Sequence, residues 1–239
     1  LKKGSGVEKS ARVLEISVEN AERAVAAERA GASRIELCGD LRVGGLTPGV
    51  GLMLKARERV HVPIFAMVRP RGGDFVYSDA EFAEMERAVD VAASAGMDGV
   101  VLGILAVNGR VDVTRTVMLV ERARPMAVTF HRAFDVSSDL LAALEDVVAT
   151  GASRLLTSGG AGTAAEGLLR VSELVKRARG RIVVMPGSGI TAVNVADIAD
   201  VTGAREFHAG LSSVGRGRNG DGAFEAEVRK LARVVAGLG

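Results

Sequence analysis

Tryptophan is absent from this chain of 239 residues, aromatic residues make up only 3 %, and there is a single cysteine. One thiol excludes an internal disulfide framework and suits a reducing cytoplasm. With so few aromatic rings the interior must be filled by small aliphatic side chains, and a hydrophobic share of 48 % is ample for that. No apolar run approaches the length of a membrane span, and no signal-peptide hydrophobic region opens the chain, so a membrane partner is not expected. Leu1–Ser10 is polar and glycine-bearing. It is expected to be a disordered tail or an appended remnant, which leaves 11–239 as one domain undivided by any Pro/Ser-rich linker.

Further absences narrow the chemistry. The net charge is only +2, the arginines are spread along amphipathic stretches with matching acids, and no aromatic residues interleave them for base stacking. Nucleic acid is therefore not an expected partner. All six lysines (Lys2, Lys3, Lys9, Lys55, Lys176, Lys230) lie in the tail or in helical stretches, which argues against a Schiff-base aldolase. Gly187-Ser188-Gly189 is not the G-x-S-x-G turn of a hydrolase. Neither H-x-H nor HExxH spacing occurs.

What is present is alternation. Eight short apolar runs each give way to a helix-period stretch: Ala11–Ile16, Ser33–Leu37, Pro63–Val68, Asp98–Leu102, Met126–Phe130, Ser153–Leu156, Arg181–Met185 and Ala204–Phe207. Strand-helix alternation argues parallel pairing, and eight units close a single-domain (β/α)8 TIM barrel. Thr47-Pro48 reads as an N-cap followed by proline at the first helical position, and Ser78-Asp79-Ala80-Glu81 as a capping box. Gly31, Gly96 and Gly151 sit where left-handed C-caps are wanted. Val214–Gly222 reads as a mobile loop before a last helix over Ala223–Ala236, and the loops after the third and fourth runs read as the longest.

In this fold the site lies at the C-terminal ends of the strands. Alternation points Val13, Glu15 and Ser17 inward from the first strand, with Leu14 and Ile16 facing the helices. The same rule turns in Arg34, Glu36 and Cys38, then Phe65, Met67 and Arg69, then Thr129 and His131, then Glu206 and His208. Charges inside a barrel are costly unless paired or used. One reading is a buried salt-bridge layer, with Arg34 or Arg69 set against Glu15 and Glu36. The other is a functional site, favoured because two histidines join the set.

Glycine-rich turns follow the sixth run (Ser158-Gly159-Gly160-Ala161-Gly162) and the seventh (Pro186-Gly187-Ser188-Gly189-Ile190). Loops after strands seven and eight are the usual phosphate seat of the fold. Ser158, Gly159, Gly187, Ser188 and Gly189 are thus candidate anion-binding residues. Arg69, Arg71 and Arg132 add guanidinium donors, with Asp74 at the rim. Glu15, Glu36, His131 and His208 are the candidate catalytic acid and base groups for a small anionic metabolite that carries, in one version, a phosphate.

Four blocks carry a family resemblance: Glu36-Leu37-Cys38 with Gly44-Gly45-Leu46-Thr47-Pro48, Arg69-Pro70-Arg71-Gly72-Gly73-Asp74-Phe75, Thr129-Phe130-His131-Arg132-Ala133-Phe134-Asp135, and Leu156-Thr157-Ser158-Gly159. Together with His208 they resemble the CutC copper homeostasis family, over essentially Leu14 to Ser213. Ala209-Gly210-Leu211 departs from the serines that family would place directly after His208. The resemblance implies a cytoplasmic (β/α)8 barrel, commonly a homo-oligomer, that binds Cu(I); it implies no settled enzymatic reaction. Cu(I) prefers soft ligands, and the one thiol allows no dithiolate site, so Cys38 with His131, His208 or a methionine such as Met67 is the candidate set. The inward Glu/His collection is harder and suits Zn(II), Mn(II) or Mg(II) better.

Overall fold

The computed structural model describes residues 12–211 and 220–238. Eight parallel strands alternate with eight helices, and the expected (β/α)8 barrel is what forms. The strands are β1 (Val13–Val18), β2 (Arg34–Leu37), β3 (Ile64–Met67), β4 (Gly99–Leu102), β5 (Ala127–Phe130), β6 (Arg154–Thr157), β7 (Val183–Pro186) and β8 (Glu206–Ala209). They are hydrogen-bonded in the order β7-β6-β5-β4-β3-β2-β1-β8, and β7 and β8 adjoin at the seam without a ladder between them. The helices are α1 (Ala21–Arg29), α2 (Val50–Arg59), α3 (Asp79–Ser94), α4 (Val113–Ala123), α5 (Leu140–Ala149), α6 (Leu168–Ala178), α7 (Val195–Thr202) and α8 (Gly220–Gly237).

Two apolar layers follow from the strand alternation. Leu14, Ile16, Ile35, Leu37, Val128, Phe130 and Phe207 pack outward against the helices in one continuous core. Cys38, Phe65, Met67 and Val101 form a separate cluster inside the barrel. Small residues make room for the few large rings, as the low aromatic content demands. At Gly99 an added Cβ would stand 2.6 Å from the Phe65 ring, so this position has to be glycine.

Several helix ends match their sequence signals. Ser78 and Glu81 form the reciprocal capping box of α3. Gly31, Gly96 and Gly151 adopt φ of 104°, 74° and 79°. Thr47-Pro48 does not open α2, which starts at Val50 behind the N-cap Gly49. The Thr47 hydroxyl instead accepts the Arg69 N–H at 2.9 Å, tying the β2–α2 connection to the end of β3. That connection, residues 38–49, is longer than those after β3 (68–78) and β4 (103–112), which read as the longest in the sequence, and it carries a 3-10 turn, Leu41–Val43. The last helix starts three residues earlier than the sequence suggested, so Gly220–Gly222 belong to α8 and not to a loop. The rest of the proposed loop, and the Leu1–Ser10 tail, lie outside the described residues.

Candidate functional site at the barrel mouth

Charged side chains cross the barrel interior at two depths. The lower level is set by the first residues of three strands, Arg34 in β2, Arg154 in β6 and Glu206 in β8. Arg34 Nη2 donates to Glu206 Oε2 at 2.7 Å, and Arg154 Nε donates to the same oxygen at 2.8 Å. Register places Glu15 of β1 beside Arg34 on one side and His208 on the other. Arg34 Nε donates to Glu15 Oε2 at 2.5 Å, while Glu15 Oε1 meets His208 Nδ1 at 2.7 Å. Burial pushes the Glu15 carboxyl up, but the charges of Arg34 and His208 outweigh it and hold the group down at about 2. Of the two readings of Arg34, the buried salt bridge is the one seen, with Glu15 and Glu206 as its acids.

Above this level lies the strand-end cluster. Glu36 Oε1 accepts from Cys38 Sγ at 3.3 Å and stands 4.0 Å from His208 Nε2. Its second oxygen, Oε2, is buried with no partner. Burial and the neighbouring Glu15 charge push the Glu36 carboxyl up, against the pull of His208. Burial lowers His208, but the Glu36 and Glu15 carboxylates more than restore it, so the imidazole is raised above its usual 6.5. Cys38 is buried beside these acids, and both effects push its thiol well above 9.0. One ligand atom each from Glu15, Glu36 and His208 lies within 4.8 Å of the others, a spacing that suits a metal ion. His208 Nδ1 held by Glu15 leaves Nε2 turned to the cluster, the arrangement of a carboxylate-oriented metal histidine.

The facing wall comes from the ends of β3 and β5. Arg69 gives its Nη groups to the carbonyl oxygens of Val43, Gly45 and Gly73, and its guanidinium lies 4.8 Å over the Phe75 ring. No acid pairs with it among the described residues, and its Nε has no partner. The His131 ring lies 5.0 Å from the other side of Phe75. Ala133 N–H donates to His131 Nδ1 at 3.2 Å, which leaves the proton on Nε2, and Nε2 is buried without a partner. Burial, with Arg69 nearby, lowers His131 to about 3 and keeps it neutral. Gly103 makes this possible, since a Cβ there would come 2.5 Å from Nδ1. Between the walls is a cavity of about 480 Å³, to which Ser17, Arg132, Ser188 and Gly189 also contribute.

The glycine-rich turns differ from one another. After β6, the amides of Ser158 and Gly160 donate to Asp135, as do the hydroxyls of Thr157 and Ser158, and Gly159 N–H goes to Thr157. Arg132 Nε pairs with the same carboxylate at 2.7 Å. This turn already holds an anion, a side chain of the protein itself. After β7, Gly187 N–H bonds to Thr157 O, whereas the N–H groups of Ser188 and Gly189 have no partner among the described residues. Ser188 holds a left-handed φ of 74°, on the order of 1 kcal/mol unfavourable for a residue with a side chain. Arg71 is spent on Glu81 and Asp74 at 2.5 and 2.9 Å, and neither Arg71 nor Asp74 lines the cavity. Asp135, Phe75 and Arg154 were not among the sequence candidates. The signal for Asp135 was its place in the Thr129–Asp135 block, three residues beyond Arg132.

The CutC family model matches residues 12–213. A family protein CutC of Chromobacterium violaceum is 49 % identical over 198 residues, which are 83 % of this chain and 80 % of that protein. The human copper homeostasis protein cutC homolog is 46 % identical over 201 residues, covering 84 % of this chain and 74 % of its own. A crystal structure of a CutC protein from Streptococcus agalactiae superposes with a TM-score of 0.78 at 34 % identity, over 83 % of this chain and 98 % of that one. A thiamine phosphate pyrophosphorylase from Pyrococcus furiosus, at 18 % identity and a TM-score of 0.64, shares the fold alone. With a family model spanning most of its length and relatives near half identity, this chain belongs to the CutC family.

Proposed function

We propose that this protein serves copper homeostasis by binding a copper ion at the barrel mouth, in the cytoplasm and as a homo-oligomer. The observation that carries the reading is the Glu36 carboxylate: one oxygen accepts from Cys38 Sγ at 3.3 Å and stands 4.0 Å from His208 Nε2, and the other is buried without a partner. Copper is the cargo in this reading. The donor set fits it through one thiolate, one imidazole and one carboxylate, with Cys38 supplying the soft ligand that Cu(I) requires. The mutually close donors are Glu15, Glu36 and His208; Cys38 joins them through Glu36 Oε1, and His131 stands on the facing wall. Copper has to displace the protons that Cys38 and His208 hold, so affinity rises with pH, by roughly tenfold per pH unit for each proton released.

The test is an anaerobic Cu(I) competition titration against a chromophoric chelator, with the wild-type chain, Cys38→Ala and His208→Gln. Stoichiometric binding that both substitutions abolish is the expected result. Weak binding indifferent to Cys38, with tighter Zn(II) or Mn(II), would refute Cu(I) as the cargo and favour the harder Glu/His set. A second reading draws on a different observation, the cavity of about 480 Å³, which far exceeds one ion. In it a small anionic metabolite occupies the mouth, with Glu36, His131 and His208 as acid and base groups around it.

A further inference from the structure

Among Cys38, Glu36 and His208 only the thiol is a soft donor, and soft donors are what select Cu(I). The strand register supplies a second. β2 and β3 pair with Glu36 beside Phe65 and Leu37 beside Ala66, so the next residues in step are Cys38 and Met67. Both turn inward and share the small cluster inside the barrel with Phe65 and Val101. Cys38 is fully buried, and Met67 is 4 % exposed.

Gly45 lets the two side-chain ends approach one another. It holds a left-handed φ of 89°, and a Cβ there would stand 3.0 Å from Cys38 Sγ and 3.3 Å from the Met67 methyl carbon, Cε. Thiol and thioether thus flank the same point above Gly45. Met67 also lines the cavity beside Glu36 and His208, so an ion in the mouth meets the thioether there.

A buried methionine is often no more than a filler of core gaps. Two observations set Met67 apart from that role. At the lower charged level Met185 Sδ accepts from Arg34 Nη2 at 3.2 Å, whereas no hydrogen bond reaches the Met67 sulfur among the described residues. The charge balance also favours a thioether. Glu36 bonds to Cys38, and Glu15 lies close behind it, so two carboxylates already surround the thiol. A neutral sulfur adds softness without burying a further negative charge.

Resting on the copper reading above, the geometry points to Met67 as a second soft ligand, its thioether sulfur joining the Cys38 thiolate on the bound Cu(I).

The test uses the full chain with Cu(I) alone, kept anaerobic, as wild type, Met67→Leu and Cys38→Ala. Leucine keeps the volume of methionine and removes its sulfur, so the urea midpoint should hold. In the chelator competition Met67→Leu should weaken Cu(I) binding by roughly tenfold or more, while Cys38→Ala abolishes stoichiometric binding. Copper-edge X-ray absorption should count two sulfurs in the wild-type chain and one in Met67→Leu. The count on the unmodified chain decides the matter even where a substituted chain fails to fold. One sulfur there, with Met67→Leu binding as wild type and Cys38→Ala not binding, would overturn Met67 as a ligand and leave the copper site intact. Binding indifferent to both substitutions, with no sulfur on the metal, would overturn both.

Discussion

At the bottom of the barrel Glu15, Arg34, Arg154 and Glu206 carry charges that cancel within hydrogen-bond distance; at the mouth Glu36, Arg69 and His131 each keep a buried polar atom unpaired. The residue types are alike, and Glu15 and Arg34 are as buried as the mouth residues, while Arg154 and Glu206 are only half-buried. What differs is depth along the strands: strand starts below, strand ends above. The lower level ties β1 to β2 through Glu15 and Arg34, and ties β8 to the non-adjacent β2 and β6 through Glu206, with only Arg154 Nη1 left unpartnered there. At the mouth those three atoms have no partner among the described residues. Glu15 belongs to both, with one oxygen on Arg34 and the other orienting His208.

If this contrast is right, substitutions of equal size should have unequal effects. The largest loss of stability is expected from Arg34→Ala, which leaves Glu15 with His208 alone and Glu206 with Arg154 alone and should cost about 3 kcal/mol in urea unfolding. A loss under about 1 kcal/mol would erase the distinction between the levels.

The pH response comes next in size, and its signs differ by residue. Glu15 is lowered to about 2 from 4.5, so its contribution is complete above about 4.5 and is lost as the pH falls toward 2. His131 is lowered to about 3 from 6.5, so the folded state resists its protonation and stability declines as the pH drops below 6.5. His208 is raised above 6.5, so its contribution is complete below 6.5 and fades as the pH rises through its folded value. Urea midpoints against pH should therefore lose the decline just below 6.5 in His131→Leu, and the alkaline fade in His208→Gln. Unchanged profiles would contradict the assigned protonation states.

Glu36→Gln, at the mouth, should shift stability by less than about 1 kcal/mol in the same urea assay, because its charged neighbour His208 keeps the closer Glu15 at 2.7 Å, and yet lower copper affinity at least tenfold. Smallest of all is Arg122→Ala on the surface, where the pair with Asp90 between α4 and α3 is largely exposed; about 0–1 kcal/mol is expected. A larger loss there would mean that pairing itself, and not depth, sets the energetics.

Most of the barrel is legible in the sequence because periodicity is a local signal. The period of two turns Glu15, Glu36 and His208 inward, since alternation along a strand depends only on that strand. Pairing is less legible. That Arg34 reaches Glu206 depends on β8 returning beside β1, a contact across the whole chain. Arg69 is a candidate partner for Glu15 or Glu36 by sequence and instead binds the carbonyls of the Leu41–Val43 turn and its neighbours, whose path no periodicity encodes. Asp135 is hidden for the same reason: it lies in a 3-10 turn, Arg132–Val136, that carries it under the β6 loop. Thr47 looks like a cap because its sequence neighbourhood permits one, and tertiary bonding to Arg69 prevails.

The proposed copper site at the mouth, Glu36 with His208 and Cys38, is tested most directly at the metal itself. X-ray absorption on the anaerobic Cu(I)-loaded chain does this, set beside Cys38→Ala and Glu36→Gln loaded in the same way. The Cys38 sulfur with nitrogen and oxygen neighbours is expected, that sulfur lost in the first variant and the copper only weakly retained in both. A spectrum without sulfur, identical in all three proteins, would contradict copper binding at this cluster.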